Sequence, residues 1–209
     1  MYKINMYINN FIYFLYYILF SIFISILYPT LDYIFNNINS YKNISPTHKK
    51  KYFISNILKG LILGLFTPYS YYILHNYIFL GNWNKNNIKI MAGLYSSLDM
   101  VSIFFVKKMQ NTTLIHHLMV QVFFLVSLFH FDFDRDSIAN PIVIYAIFSV
   151  FAFIVNIYLG LRLITNKLMK ITATISSLIY QFSCLLNWTY QLYWIYSSNT
   201  LILIKVIYF

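Results

Sequence analysis

Long apolar stretches separated by short polar ones dominate the pattern of this chain. Six of the stretches read as spanning helices, since roughly 20 apolar residues are needed to cross the hydrocarbon of a bilayer. The first, FIYFLYYILFSIFISILY, covers about 11–28 and is expected to end at Pro29, because proline lacks an N–H and crowds the preceding turn. No small-residue cleavage site follows it, so it reads as an anchored helix rather than a removed signal peptide. The polar segment NNINSYKNISPTHKKK then leads to a second helix at about 54–80. The third is expected at about 88–106 and the fourth at about 112–130, followed by the loop FDFDRDS. The fifth covers about 138–163 and the sixth about 171–196, after which TLILIKVIYF is too short to span. The expectation is an all-α fold: a single polytopic transmembrane bundle or barrel of about six helices over residues 1–209.

Composition strengthens this reading. Of the 209 residues 60% are hydrophobic and 10% charged, against about 25% charged in soluble domains. A water-facing surface could not be built from so few charges. The net charge of +10 is carried in short runs between apolar stretches, the mark of membrane topology rather than of a nucleic-acid face, so no nucleic-acid partner is expected. Lys42, Lys49, Lys50 and Lys51 fall in the first loop, Lys107 and Lys108 in the third, and Arg162, Lys167 and Lys170 in the fifth. The other side holds Lys3, Lys85, Lys89, Arg135 and Lys205, with Asp132, Asp134 and Asp136 around Arg135. The positive-inside rule places the odd loops in the cytosol and the N-terminus on the lumenal side. The aspartate loop lacks the glycine and distal glutamate of an EF-hand and reads as solvated. Cys184 is the only cysteine, which excludes an internal disulfide and a cysteine-based zinc site. Gly60 and Gly64 form a small-xxx-small pair suited to close helix packing.

The polar residues that lipid should have excluded carry the functional signal. Ionisable groups inside a span cost roughly 2.5–3.5 kcal/mol on insertion scales and turn toward the bundle interior. Asp99 precedes the cytosolic Lys107 by eight residues, on the order of 12 Å of helix. His116 and His117 follow Thr112, read as an N-cap, and lie about 6–8 Å below the same face. A short loop makes the third and fourth helices antiparallel neighbours, so acid and histidines reach similar depths. Gln121 shares a stripe with His117, and Asn156 sits about 9 Å above Arg162. Adjacent histidines project about 100° apart, which argues against one shared metal ion, and none is expected. Two uses remain. A histidine could act as base or nucleophile with Asp99 fixing its tautomer, or the group could merely hold helices together. His75 and His130 read as interfacial and His48 as solvated.

The segment GLYSSLDMVSIFFVKKMQNTTLIHHLMVQVFFLVSLF resembles the central stretch of the TLC-domain family, in which an intramembrane aspartate precedes a short basic loop and an HH pair opens the next helix. The family includes ceramide synthases, which join a fatty acyl-CoA to a sphingoid base, and compact members tied to membrane lipid composition or trafficking. The resemblance implies a helical barrel around a lipid-accepting cavity, in the endoplasmic reticulum or another endomembrane. It implies His116, His117 and Asp99 as catalytic residues if there is turnover, with acyl-CoA as co-substrate and no bound cofactor. Gln121 and Asn156 are then candidate substrate-binding residues, and Lys107 and Lys108 candidate contacts for the phosphates of CoA. PIVIYAIFSVFAFIVNIYLGLR holds no acid, unlike the corresponding synthase helix, so the resemblance is closer to the compact branch. Two readings stay open: a ceramide-synthase-like N-acyltransferase acting on a fatty acyl chain, and a non-catalytic protein that senses or escorts lipid. A transporter is disfavoured by the lack of an internal repeat.

Overall fold

The computed structural model describes residues 2–165 and 169–198, with the side chains of residues 2–5 left aside. Lys167, Lys205 and the tail beyond Ser198 therefore lie outside the described residues, as does the side chain of Lys3. Among the described residues there are only helices: α1 (Tyr2–Phe35), α2 (Asn39–Lys42), α3 (His48–Leu80), α4 (Lys85–Phe105), α5 (Asn111–Phe129), α6 (Ala139–Phe151), α7 (Phe153–Leu161) and α8 (Met169–Ser197). Four of them, α1, α3, α4 and α5, are long and apolar enough to cross a membrane, and the α6–α7 pair, bent by 46°, makes a fifth if counted as one span. At 29 residues α8 has the length to cross, but its Ser, Thr, Asn and Gln residues keep it less apolar than those five.

The outer surface is apolar as well as the core, unlike that of a soluble bundle. Ile8, Phe11, Leu15, Leu19, Ile22 and Ile26 stand exposed along α1, and Ile171, Leu178, Phe182, Leu185 and Leu192 along α8. Ser176, Ser183, Asn187 and Gln191 of α8 point inward. Apolar faces of that extent are stable against lipid and not against water. At the centre stands α4, with every residue from Met91 to Asp99 buried.

Three boundaries differ from the sequence expectation. Pro29 lies inside α1, which continues to Phe35. A membrane helix tolerates such an interruption because the surrounding packing holds the chain straight enough to re-form its ladder; here Tyr28 is buried beside the proline and packs tilted against Phe105, 4.3 Å between ring centroids. The lysine run is not a loop: His48–Lys51 form the first turn of α3. The expected fifth helix breaks at Ala152, where the chain carries neither proline nor glycine.

The break lets α7 press onto α3. A Cβ added at Gly60 would stand 2.5 Å from Ile157 Cγ1 and 3.0 Å from the Ile157 backbone nitrogen, and one at Gly64 would meet the Phe153 ring at 3.1 Å. The backbone cannot yield as a ring can. Gly60→Ala is therefore expected to destabilise by about 1–3 kcal/mol through overpacking, and Gly64→Ala by less, read as the shift in thermal unfolding of the detergent-solubilised protein.

A second tie closes the opposite end from the α4–α5 turn. Lys89 of α4 pairs with Asp132 and donates a 2.7 Å hydrogen bond to Asn10 Oδ1, while Asn10 Nδ2 donates to the Leu128 carbonyl at 2.7 Å. Lys85 adds contacts of 3.4 Å to Asp132 and 3.3 Å to Asp134. Partial burial alone would raise the Asp132 carboxyl, but the hydrogen bonds from Lys89 and Asn10 and the attraction of both lysines outweigh it and hold that carboxyl below its ordinary range. A carboxyl depressed by folding stabilises the fold above its unfolded value of about 3.9 and loses that contribution as pH falls through the folded value. Unfolding temperature is thus expected to drop on acidification into this range, and Asp132→Asn to flatten the drop while lowering stability at neutral pH.

Candidate functional site

Asp99 lies six residues before the end of α4 at Phe105, and His117 six residues after the start of α5 at Asn111. Both are on the order of 9 Å below the turn that joins the helices. Thr112 is not the N-cap; Gln110 holds that position and α5 begins at Asn111. The acid and the second histidine meet: His117 Nδ1 stands 3.0 Å from Asp99 Oδ1. Both are buried, Asp99 completely and His117 to 7% exposure.

A third charged residue joins them. Lys59, in the middle of α3, forms an ion pair with Asp99 Oδ1, and its ammonium lies 5.6 Å from the Tyr95 ring. Ser55 and Ser102 hydrogen-bond at 2.9 Å between the same helices, α3 and α4. The carboxylate is thus neutralised by a lysine supplied from a different helix, the condition under which a buried charge is tolerated. Yet the group is incompletely satisfied. His117 Nδ1 is within ion-pairing distance of Asp99 but lacks hydrogen-bond geometry, and neither it nor Asp99 Oδ2 has a hydrogen-bond partner. Buried polar atoms of native proteins rarely stay unpaired, and those that do are candidates for chemistry.

His116 faces elsewhere. It lies in the wall of a cavity of about 450 Å³ bounded by α4, α5, α6 and α8, whereas Asp99 and His117 sit behind that wall. Its ring is 5.7 Å from that of His117 and 6.5 Å from that of Tyr145, centroid to centroid. The cavity opens at the surface of the bundle, for Met119, Tyr145, Tyr180 and Trp188 line it and are themselves exposed. Its volume suits one small ligand or part of a lipid chain.

The other candidates are placed differently. Gln121 is buried and engaged: Tyr17 Oη donates to its Oε1 at 2.9 Å, and its Nε2 donates to the carbonyls of Ser96 and His117 at 3.1 and 3.2 Å. It ties α5 to α1 and α4. Asn156 is half-buried on α7 and does not line the cavity that His116 faces. Lys107 and Lys108 are exposed in the α4–α5 turn, on the side of the bundle to which Asp99 and the histidines are nearest. His130 is exposed, and His75 is half-buried between Tyr71 and Phe79.

No family model, curated protein or solved structure matches the chain.

Metal binding can be weighed on geometry. Ligand atoms of Asp99, His116 and His117 all lie within 4.8 Å of one another, so the divergence of adjacent helical positions does not keep the two imidazoles apart. Three such ligands would suit a transition ion in number. The Lys59 ammonium already on Asp99 opposes a second cation at the same carboxylate, and the arrangement favours proton chemistry.

Lys59 is the site residue that sequence reasoning missed. It was visible as the single charge in ISNILKGLILGL, an ionisable group in a span and hence a functional-site candidate by the same rule that singled out Asp99.

Proposed function

We propose that this chain is a TLC-like integral membrane protein of six spans, with α8 as the sixth, that takes a lipid acyl chain into the cavity between α5 and α8 and presents its reactive end to His116. The observation that carries the reading is the coincidence of a surface-open cavity with a histidine in its wall and a buried, incompletely hydrogen-bonded Lys59–Asp99–His117 group directly behind. As an acyltransferase of ceramide-synthase type, it would use His116 to accept the proton of an amine or hydroxyl acceptor, or to take the acyl group itself. Asp99 and Lys59 hold His117 in place beside it, and an imidazolium forming on either ring would be stabilised by the carboxylate. Acyl-CoA would approach from the cytosol past Lys107 and Lys108, whose charges suit its phosphates. The N-terminus would then be lumenal, in the endoplasmic reticulum or another endomembrane. The test is an acyl transfer assay with sphingoid base and acyl-CoA in membranes, together with lipid profiling of cells expressing wild type, His116→Ala or empty vector. Product or a changed profile dependent on His116 supports turnover; identical profiles for all three end the enzymatic reading.

A second reading, a non-catalytic lipid sensor or escort, is favoured by one observation: the α6–α7 segment brings no acid to the site. It predicts saturable lipid binding with no product.

A further inference from the structure

The end of the cavity remote from His116 carries polar side chains among its apolar lining. Ser127 of α5 is eleven residues beyond His116 on the same helix, about 16 Å further along its axis. Ser127 lines the cavity, is 1% exposed, and its Oγ has no hydrogen-bond partner. A serine in a membrane helix normally donates to the carbonyl four residues back, as Ser21, Ser25 and Ser149 do here at 2.7–3.0 Å. Opposite, α8 contributes Asn187 and Gln191 to the same lining. Gln191 Nε2 donates to the Pro141 carbonyl and to Asn187 Oδ1, each at 3.0 Å. With its oxygen so engaged, the Asn187 side chain has its amide nitrogen, a donor, left to offer a ligand in the cavity it lines. Pro141 is near the start of α6, which fixes this group at the end of the cavity away from the α4–α5 turn.

A cavity for a plain hydrocarbon tail would not be built this way. An unpaired hydroxyl and an amide donor set against methylenes each lose a hydrogen bond that water would have supplied. We infer that the cavity accepts a two-headed lipid: a chain whose reactive end meets His116 and whose far end carries a hydroxyl that pairs with Ser127 Oγ and Asn187 Nδ2. The ligand class is an ω-hydroxy or near-ω-hydroxy acyl chain. This rests on the reading above that the cavity holds an acyl chain, and it adds what lies at the chain's other end.

The test is equilibrium binding to the full chain in nanodiscs, comparing saturated fatty acids from decanoic to hexadecanoic with their ω-hydroxy derivatives. At the length that matches the cavity the hydroxy acid is expected to bind about five- to tenfold tighter, the worth of one or two net hydrogen bonds. Ser127→Ala should erase that preference and leave the plain acid unchanged, since the serine hydroxyl holds nothing in the fold. Asn187→Leu should weaken the hydroxy acid at the same length, with monodispersity and thermal unfolding confirming the fold. Equal affinity within every pair, or a preference that survives Ser127→Ala, overturns this inference alone. Failure of both members of every pair to bind overturns it together with the acyl-binding reading beneath it.

Discussion

Lys59→Met is expected to be the most damaging single substitution in the protein. It leaves the fully buried Asp99 carboxylate without its lysine counter-charge, with only the His117 imidazole beside it. Breaking a buried pair from one side costs about 3–5 kcal/mol, which in a domain of marginal stability is enough to deplete the folded protein. Asp99→Leu, which leaves the lysine behind, is milder, because a long side chain at 15% exposure can stretch toward a polar boundary while a carboxylate at zero exposure cannot. The double variant Lys59→Met/Asp99→Leu should recover most of the stability lost by Lys59→Met, since paired buried charges can be replaced by apolar side chains at little cost. Folded yield and unfolding temperature across the four proteins form the double-mutant cycle. Loss in the double variant equal to the sum of the singles would mean the pair is not coupled. The double variant also separates the roles of the group, for it should fold and yet fail in any reaction that requires the carboxylate.

The second large effect separates the two histidines. His116→Ala removes the ring that faces the cavity but no described hydrogen bond of the fold, so stability should change little while transfer falls by about 10²–10⁴, the usual contribution of a positioned base. His117→Ala removes the ring packed on Asp99, so stability and transfer should both fall. A residue pair acting only as helix glue would give the opposite ranking for activity or none. Initial rates in membranes, normalised to folded protein, make the comparison. If His116→Ala keeps full transfer while His117→Ala abolishes it, the reacting ring is the buried one and the cavity assignment is wrong.

How much of this was legible in the sequence differs by element. The depths of Asp99 and of the histidine pair could be read because helix rise is fixed and the α4–α5 turn is short, so two numbers along the chain became one height in the bundle. Lys59 lay inside the expected second span and was passed over among its polar residues, and only the packing of α3 against α4 reveals its partner. The stripe that joins His117 to Gln121 was visible, but its destination was not, because nothing in the sequence tells that α1 packs beside α5 and brings Tyr17 to the glutamine. Pro29 misled for a related reason. The rule that proline ends a helix is drawn from chains in water, where a lost backbone bond is easily replaced by solvent; in lipid the helix is the only conformation that satisfies its neighbours, and α1 runs on. The break at Ala152 has no local signal. Its counterpart lies elsewhere, in Gly60 and Gly64, which were read as a packing pair without a partner. The inward polar face of α8 was there at helical spacing, from Ser176 through Ser183 and Asn187 to Gln191, but none of these residues carries a charge, the signal by which the intramembrane site was found.

The central claim is that an acyl chain occupies the cavity with its reactive end at His116. A fatty acid bearing a photoreactive diazirine on its chain, incorporated in nanodiscs with the full protein and mapped by mass spectrometry after irradiation, tests it most directly. Labels are expected on the cavity walls, at Met119 and Val120 of α5 and Ser183 and Cys184 of α8, displaced by excess unlabelled fatty acid. Labelling that is not displaced and falls equally on the membrane-facing side of α1, at Leu15, Leu19 and Phe23, would contradict it.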